Sequence, residues 1–136
     1  MSGFDPDRRY RVLLVHNRYQ QRGGEDAVVD AEAELLRQHG HHVERYERHN
    51  DEVASLSPLR LATGTLWSRR TRRDLPAVAA AFAPDLLHVH NSFPLISPSV
   101  HAAAHNLRLP VLQTLHNFRL LCPQGTLLRD GRVCTD

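Results

Sequence analysis

Three histidine–asparagine pairs, His16-Asn17, His90-Asn91 and His116-Asn117, are the residues of this sequence best suited to chemistry. An imidazole changes charge near neutral pH and offers two distinct ring nitrogens, while a side-chain amide both donates and accepts. Such pairs suit hydroxyls, phosphate oxygens or the holding of a proton. Each follows an apolar run: Val12 to Val15, Leu86 to Val89, and Val111 to Leu115. These runs read as strands of a parallel sheet, buried on both faces. Ligands of open α/β sheets bind outside the carboxyl ends of the strands, so the three pairs are expected to converge on one rim. The blander alternative is that they cap loops and bond backbone.

The elements that must position them follow from pattern. The first strand leads through a polar loop to Gly23-Gly24 and a helix, on which Val28, Ala31, Leu35 and Val29, Ala33, Leu36 recur at spacings of three and four. Gly40 takes the position just past that helix. Val43 to Arg48 alternates and reads as a less buried strand. Ser57-Pro58 opens a short helix toward Trp67, broken at Gly64, and the arginines at 69, 70, 72 and 73 lead into an alanine-rich helix from Leu75 to Ala83. Ser97 is expected to cap a further helix that begins at Pro98 and ends near Asn106. Asp130-Gly131 reads as a hairpin turn. The order β-α-β-α-β-α-β predicts a Rossmann-like parallel sheet flanked by helices, with neighbours on both sides of the first strand.

Composition removes whole classes of function. The chain has 136 residues, a length that suits one domain, and a net charge of +2, too small to argue for nucleic acid. Every one of its 17 basic residues is arginine, which excludes a P-loop lysine, a Schiff-base lysine and a lysine base. The first loop lacks G-x-G-x-x-G, so a nicotinamide domain is disfavoured, and His16-Asn17 stands where a response regulator needs acids. No apolar run reaches the ~20 residues of a membrane span and no signal peptide is visible, so a cytoplasmic location is expected.

Metal binding is weighed and not expected. His88 and His90 share one strand face, and His101 and His105 one helix face, but no acidic residue partners them in sequence. Cys122 and Cys134 have the look of half a four-cysteine cluster, and two ligands cannot close a tetrahedral site.

Four stretches carry a resemblance. Arg22-Gly-Gly-Glu-Asp26, the helix Ala31 to Arg37 with His39-Gly40-His41, Pro84 to His90, and Thr114-Leu-His-Asn-Phe-Arg119 follow one another in order. Together they resemble the N-terminal, acceptor-side half of a family 4 (group 1) glycosyltransferase of the GT-B fold. The resemblance runs from about Arg11 to the end of the chain. It implies one Rossmann-like domain over residues 1–136, with the strands that close the sheet and the C-terminal nucleotide-sugar domain absent. The implied activity is retaining transfer of a sugar from a nucleotide-sugar donor to a polysaccharide or lipid-linked acceptor, with no cofactor and none from this chain alone. By resemblance His116 is the catalytic-site histidine near the reacting carbon, and Gly23 and Gly24 meet the donor diphosphate; Arg22 and Arg18 either add phosphate contacts, as arginine forks do, or are exposed loop arginines with no partner. His16, Asn17, Glu25, His90, Asn91 and Asn117 are expected on the acceptor side. The arginine run beside Leu66-Trp67 fits either an anionic membrane surface, at the inner face, or a solvated face. Self-association through an open sheet edge is a further expectation. A non-catalytic Rossmann-like binding module acting through a partner stays open as the alternative.

Overall fold

The computed structural model describes residues 7–122 and 124–134. Strands β1 (Arg11–Arg18), β2 (His42–His49), β3 (Leu86–Val89) and β4 (Val111–Gln113) form one parallel sheet in the order β2-β1-β3-β4. Helices α1 (Gly24–Gln38), α2 (Pro58–Leu66), α3 (Arg69–Phe82) and α4 (Ser99–Asn106) connect them, with a 3₁₀ turn at Asn50–Ser55. A hairpin of β5 (Leu128–Arg129) and β6 (Arg132–Val133) follows. The architecture is the predicted Rossmann-like α/β sheet, with β1 between two neighbours.

Strand parity sorts the core into two layers. Val12 and Leu14 of β1 pack on Val29 and Ala33 of α1. Leu13 and Val15, with Leu87 and Val89 of β3, face Leu75 of α3 and Val100 and Ala104 of α4 on the other side. Right-handed crossovers require this arrangement: the chain winds one way from β1 to β2, then returns past β1 to β3. The winding direction therefore reverses between β1 and β3. The crevice outside their carboxyl ends is the expected ligand site of such a sheet.

Several local expectations need correction. On α1 only the Val29, Ala33, Leu36 stripe faces the core, while Val28 and Leu35 are exposed, because one helix meets one sheet face. Gly64 does not break α2, which runs through it to Leu66. The arginine run lies within α3 rather than before it. Ser68 is the N-cap, its hydroxyl accepting from the Thr71 N–H at 3.2 Å, and Thr71, Leu75 and Ala79 form the buried stripe. Pro76 sits inside this helix, where it removes one N–H and its ring crowds the carbonyl four residues back. α4 begins at Ser99, one residue later than predicted, with Pro98 at the cap position. Ser97 still accepts the Ser99 N–H, at 3.2 Å, from a left-handed backbone with φ 64°. β4 is not buried on both faces: as an edge strand it leaves Val111 and Leu112 exposed.

Gly40 and Gly131 are among the glycines that conformation requires. Gly40 has φ +81°, and a Cβ there would lie 2.6 Å from Arg9 Nε. Gly131 has φ +74° beside Asp130 at φ +52°, the two positive values of a type I′ hairpin turn.

Candidate active site

Parity divides the first histidine–asparagine pair. His16 points toward α1, wholly buried, and its Nε2 is 2.8 Å from Asp26 Oδ1. The other Asp26 oxygen accepts the Gly23 N–H at 2.8 Å, so the carboxylate closes the first turn of α1. Burial pushes the Asp26 carboxyl up, but the Gly23 N–H and His16 outweigh it and hold the group below its ordinary value. Asn17 points the other way. Its amide accepts the Leu95 N–H at 3.0 Å and donates to Asn50 Oδ1 at 2.7 Å. Asn91 donates to the Asn17 carbonyl at 3.2 Å and caps the Phe93 N–H at 3.0 Å. Asn17 and Asn91 thus splice the end of β1 to the loop after β3, the loop-capping role that the sequence left as the alternative.

His88, His90 and His116 come together. His88 and His90, on one face of β3, have rings 4.3 Å apart, and the His90 ring lies 5.2 Å from that of His116, nearly parallel to it. His90 Nδ1 is 3.0 Å from His116 Nε2. Behind them stands Glu32 of α1, with Oε1 2.7 Å from His88 Nδ1 and Oε2 3.6 Å from His90 Nε2. The first is a close contact of ring nitrogen and carboxylate; the second is too long for a hydrogen bond, and His90 Nε2 is a buried nitrogen without a partner. A carboxylate only accepts, so His88 Nδ1 carries the proton and His88 Nε2 accepts from the Thr114 hydroxyl at 2.8 Å. The donor and acceptor of the His90–His116 contact depend on the tautomer: in the form with the His90 proton on Nε2, toward the Glu32 charge, His90 Nδ1 accepts from His116 Nε2. His116 Nδ1 is then the lone pair left over. Burial first, then the neighbouring His88, His116 and His16, push His90 down to about 3. Burial also lowers His88, against the opposing pull of Glu32. Both imidazoles are neutral at physiological pH.

His116 opens onto a cavity of about 400 Å³ at the carboxyl ends of β3 and β4. Its walls include Glu25, His90, Asn91, Phe93, His101 and Asn117. Glu25 accepts from Asn117 Nδ2 at 3.1 Å and from the Tyr19 hydroxyl at 3.0 Å. Burial and that carboxylate raise the Tyr19 phenol to about 12, so it stays protonated.

Of the residues expected to handle ligand, then, Glu25, His90, Asn91, His116 and Asn117 meet at this cavity. His16 and Asn17 do not line it. The glycine pair stands apart from it too. Gly23 has an ordinary extended backbone, φ −103°, and spends its N–H on Asp26, while Gly24 is the exposed first residue of α1. Neither has a positive φ, and a Cβ would meet nothing within 4 Å at Gly24 and only ordinary contacts at Gly23, so neither backbone conformation nor internal packing demands a glycine. Arg22 and Arg18 are not free loop cations: both pair with Asp30, and Arg18 also with Glu47. The chief residue that sequence reasoning missed is Glu32, the acidic partner that His88 and His90 lacked in sequence. Its signal was its phase, three residues after Val29 and four before Leu36 on the buried stripe of α1.

The family model described as Glycosyltransferase Family 4 matches residues 22–132. The chain belongs to glycosyltransferase family 4. The match takes in α1 with its glycine start, the rest of the parallel sheet after β1, and the whole cavity wall from Glu25 to Leu120. Comparison with curated proteins and with solved structures gave no match. The cavity lies at the carboxyl rim of the parallel sheet, where ligands of open α/β sheets bind. No helix among the described residues is long and apolar enough to cross a membrane. Cys122 and Cys134 are both free thiols. Backbone N–H groups, that of Leu127 foremost, lower the Cys122 thiol.

Proposed function

We propose that this chain is the acceptor-side, N-terminal domain of a retaining glycosyltransferase that moves a sugar from a nucleotide-sugar to a polysaccharide or lipid-linked acceptor. The observation that carries this reading is His116, held by His90 at 3.0 Å on the wall of a cavity at the rim of the sheet. His116 meets the donor sugar near its reacting carbon and accepts a hydroxyl proton at Nδ1. His90 is a positioning residue: with its proton drawn toward Glu32, it fixes which nitrogen of His116 is bare. Glu25 and Asn117, already bonded to each other, offer a carboxylate and an amide to sugar hydroxyls. The donor diphosphate approaches Gly24, whose exposed backbone leaves room, while the adjacent Gly23 amide stays on Asp26. The nucleotide and the groups that stabilise the leaving diphosphate belong to a second domain, so this chain alone is expected to be inactive.

Sugar transfer by the complete enzyme tests the proposal. His116→Ala lowers kcat by a factor of about 10² or more, the scale of a group that acts mainly in the transition state. Unchanged turnover in a folded variant would leave the cavity a binding surface only and favour a non-catalytic module.

A further inference from the structure

We propose that Glu32, His88 and His90 form a binding site for a divalent transition-metal ion of the zinc class, behind the cavity wall rather than in it. A ligand atom from each of the three residues lies within 4.8 Å of the others. Each nitrogen faces its own Glu32 oxygen, His88 Nδ1 at 2.7 Å from Oε1 and His90 Nε2 at 3.6 Å from Oε2, separations near the edge of about 3.3 Å expected between tetrahedral ligands bound at ~2.0–2.1 Å. Nitrogen and carboxylate oxygen are donors that zinc accepts, and three protein ligands leave one position open.

A second observation is the burial of the ligand atom itself. His90 Nε2 is buried and has no hydrogen-bond partner. An orphaned ring nitrogen aimed at a carboxylate it does not reach leaves a gap that an ion fills. A third is the outer shell. Histidines that ligate metals nearly always have their other ring nitrogen bonded to a neighbour. Here His88 Nε2 meets the Thr114 hydroxyl at 2.8 Å, and His90 Nδ1 meets His116 Nε2 at 3.0 Å. Binding needs no net loss of protons from the neutral rings. Each moves its proton to the nitrogen away from the ion, so that His88 donates to Thr114 and His90 to His116. Entry is open on the Glu32 side, whose side chain keeps 27% of its accessible surface.

The consequence reaches the cavity. With His90 Nδ1 now donating, His116 Nε2 becomes the acceptor and His116 Nδ1 carries the proton. The ion therefore changes what His116 presents from a lone pair to an N–H donor, without entering the cavity itself. That consequence uses the role proposed above for His116; the ion site does not.

Equilibrium dialysis of the chelator-treated chain against Zn²⁺, with metal analysis, reads this directly. The expected result is one ion per chain, with affinity lowered at least ~100-fold in a folded Glu32→Gln variant and unchanged in Cys122→Ser/Cys134→Ser. Co²⁺ in place of Zn²⁺ gives a second reading on the unaltered chain: visible bands of nitrogen and oxygen ligation, with no thiolate charge-transfer band. No stoichiometric ion, equal binding by Glu32→Gln, loss in the cysteine variant, or a thiolate band would each overturn the site. None of these results bears on whether His116→Ala stops sugar transfer.

Discussion

His16 and Asp26 show how much a pair of buried side chains can fix. One carboxylate joins the end of β1 to the start of α1, through His16 on one oxygen and the Gly23 N–H on the other. Asp26→Ala leaves the buried His16 Nε2 and the part-buried Gly23 N–H unpaired, and is expected to cost about 3 kcal/mol of stability in urea unfolding. At the cavity the expectation is different. Glu25→Gln removes the charge and one of the two acceptor oxygens, which serve Tyr19 and Asn117 on a half-buried wall. Its fold should survive, while the KM for the sugar ligand in the complete enzyme rises about tenfold, the value of one charge-assisted hydrogen bond. An unchanged KM would make this trio a brace for the loop after β4 and nothing more.

Glycines of unlike purpose mark the two ends of α1. Gly24 is helical and has open space where a Cβ would go, so Gly24→Ala is expected to be neutral or to stabilise by about 0.5 kcal/mol. Gly40 has φ +81° with Arg9 against it, so Gly40→Ala is expected to cost about 1 kcal/mol or more. Thermal unfolding of the two variants separates them by sign. Gly24→Val, by contrast, is expected to harm donor use more than folding, since a branched side chain obstructs approach to the backbone. The elements themselves were legible in the sequence, because the apolar runs and the helical spacing are local. What stayed hidden was contact across elements. The repeated histidine–asparagine pair looked like one motif, yet adjacent residues of a strand face opposite layers, and this parity sends His16 to Asp26 and Asn17 to Leu95. Asp30 lies twelve residues from Arg18 and fifteen from Arg45, and only the register of β1 on β2 brings all three together.

At the scale of the whole molecule, ion pairs of this kind set the response to acid. Hydrogen bonding to Arg18, and then Arg45, outweighs burial and holds Asp30 down to about 2; Arg48 does the same for Glu52, also to about 2. In the unfolded chain both acids titrate near ~4. The folded form therefore binds fewer protons in that window, so these pairs contribute fully above about pH 4.5 and lose their contribution as pH falls toward 2. Asp30→Asn should flatten this acid loss and cost at most about 1 kcal/mol at pH 7, by urea unfolding at several pH values. The cavity is also a property of the whole sheet, since it needs the loops after β3 and β4 and the start of α1 at one rim. Its proposed occupant can be seen directly. A crystal structure of the complete enzyme with its nucleotide-sugar is predicted to place a sugar oxygen within ~3.2 Å of the His116 side chain. A bound donor whose sugar lies away from His116, with the cavity beside it empty, would contradict the account.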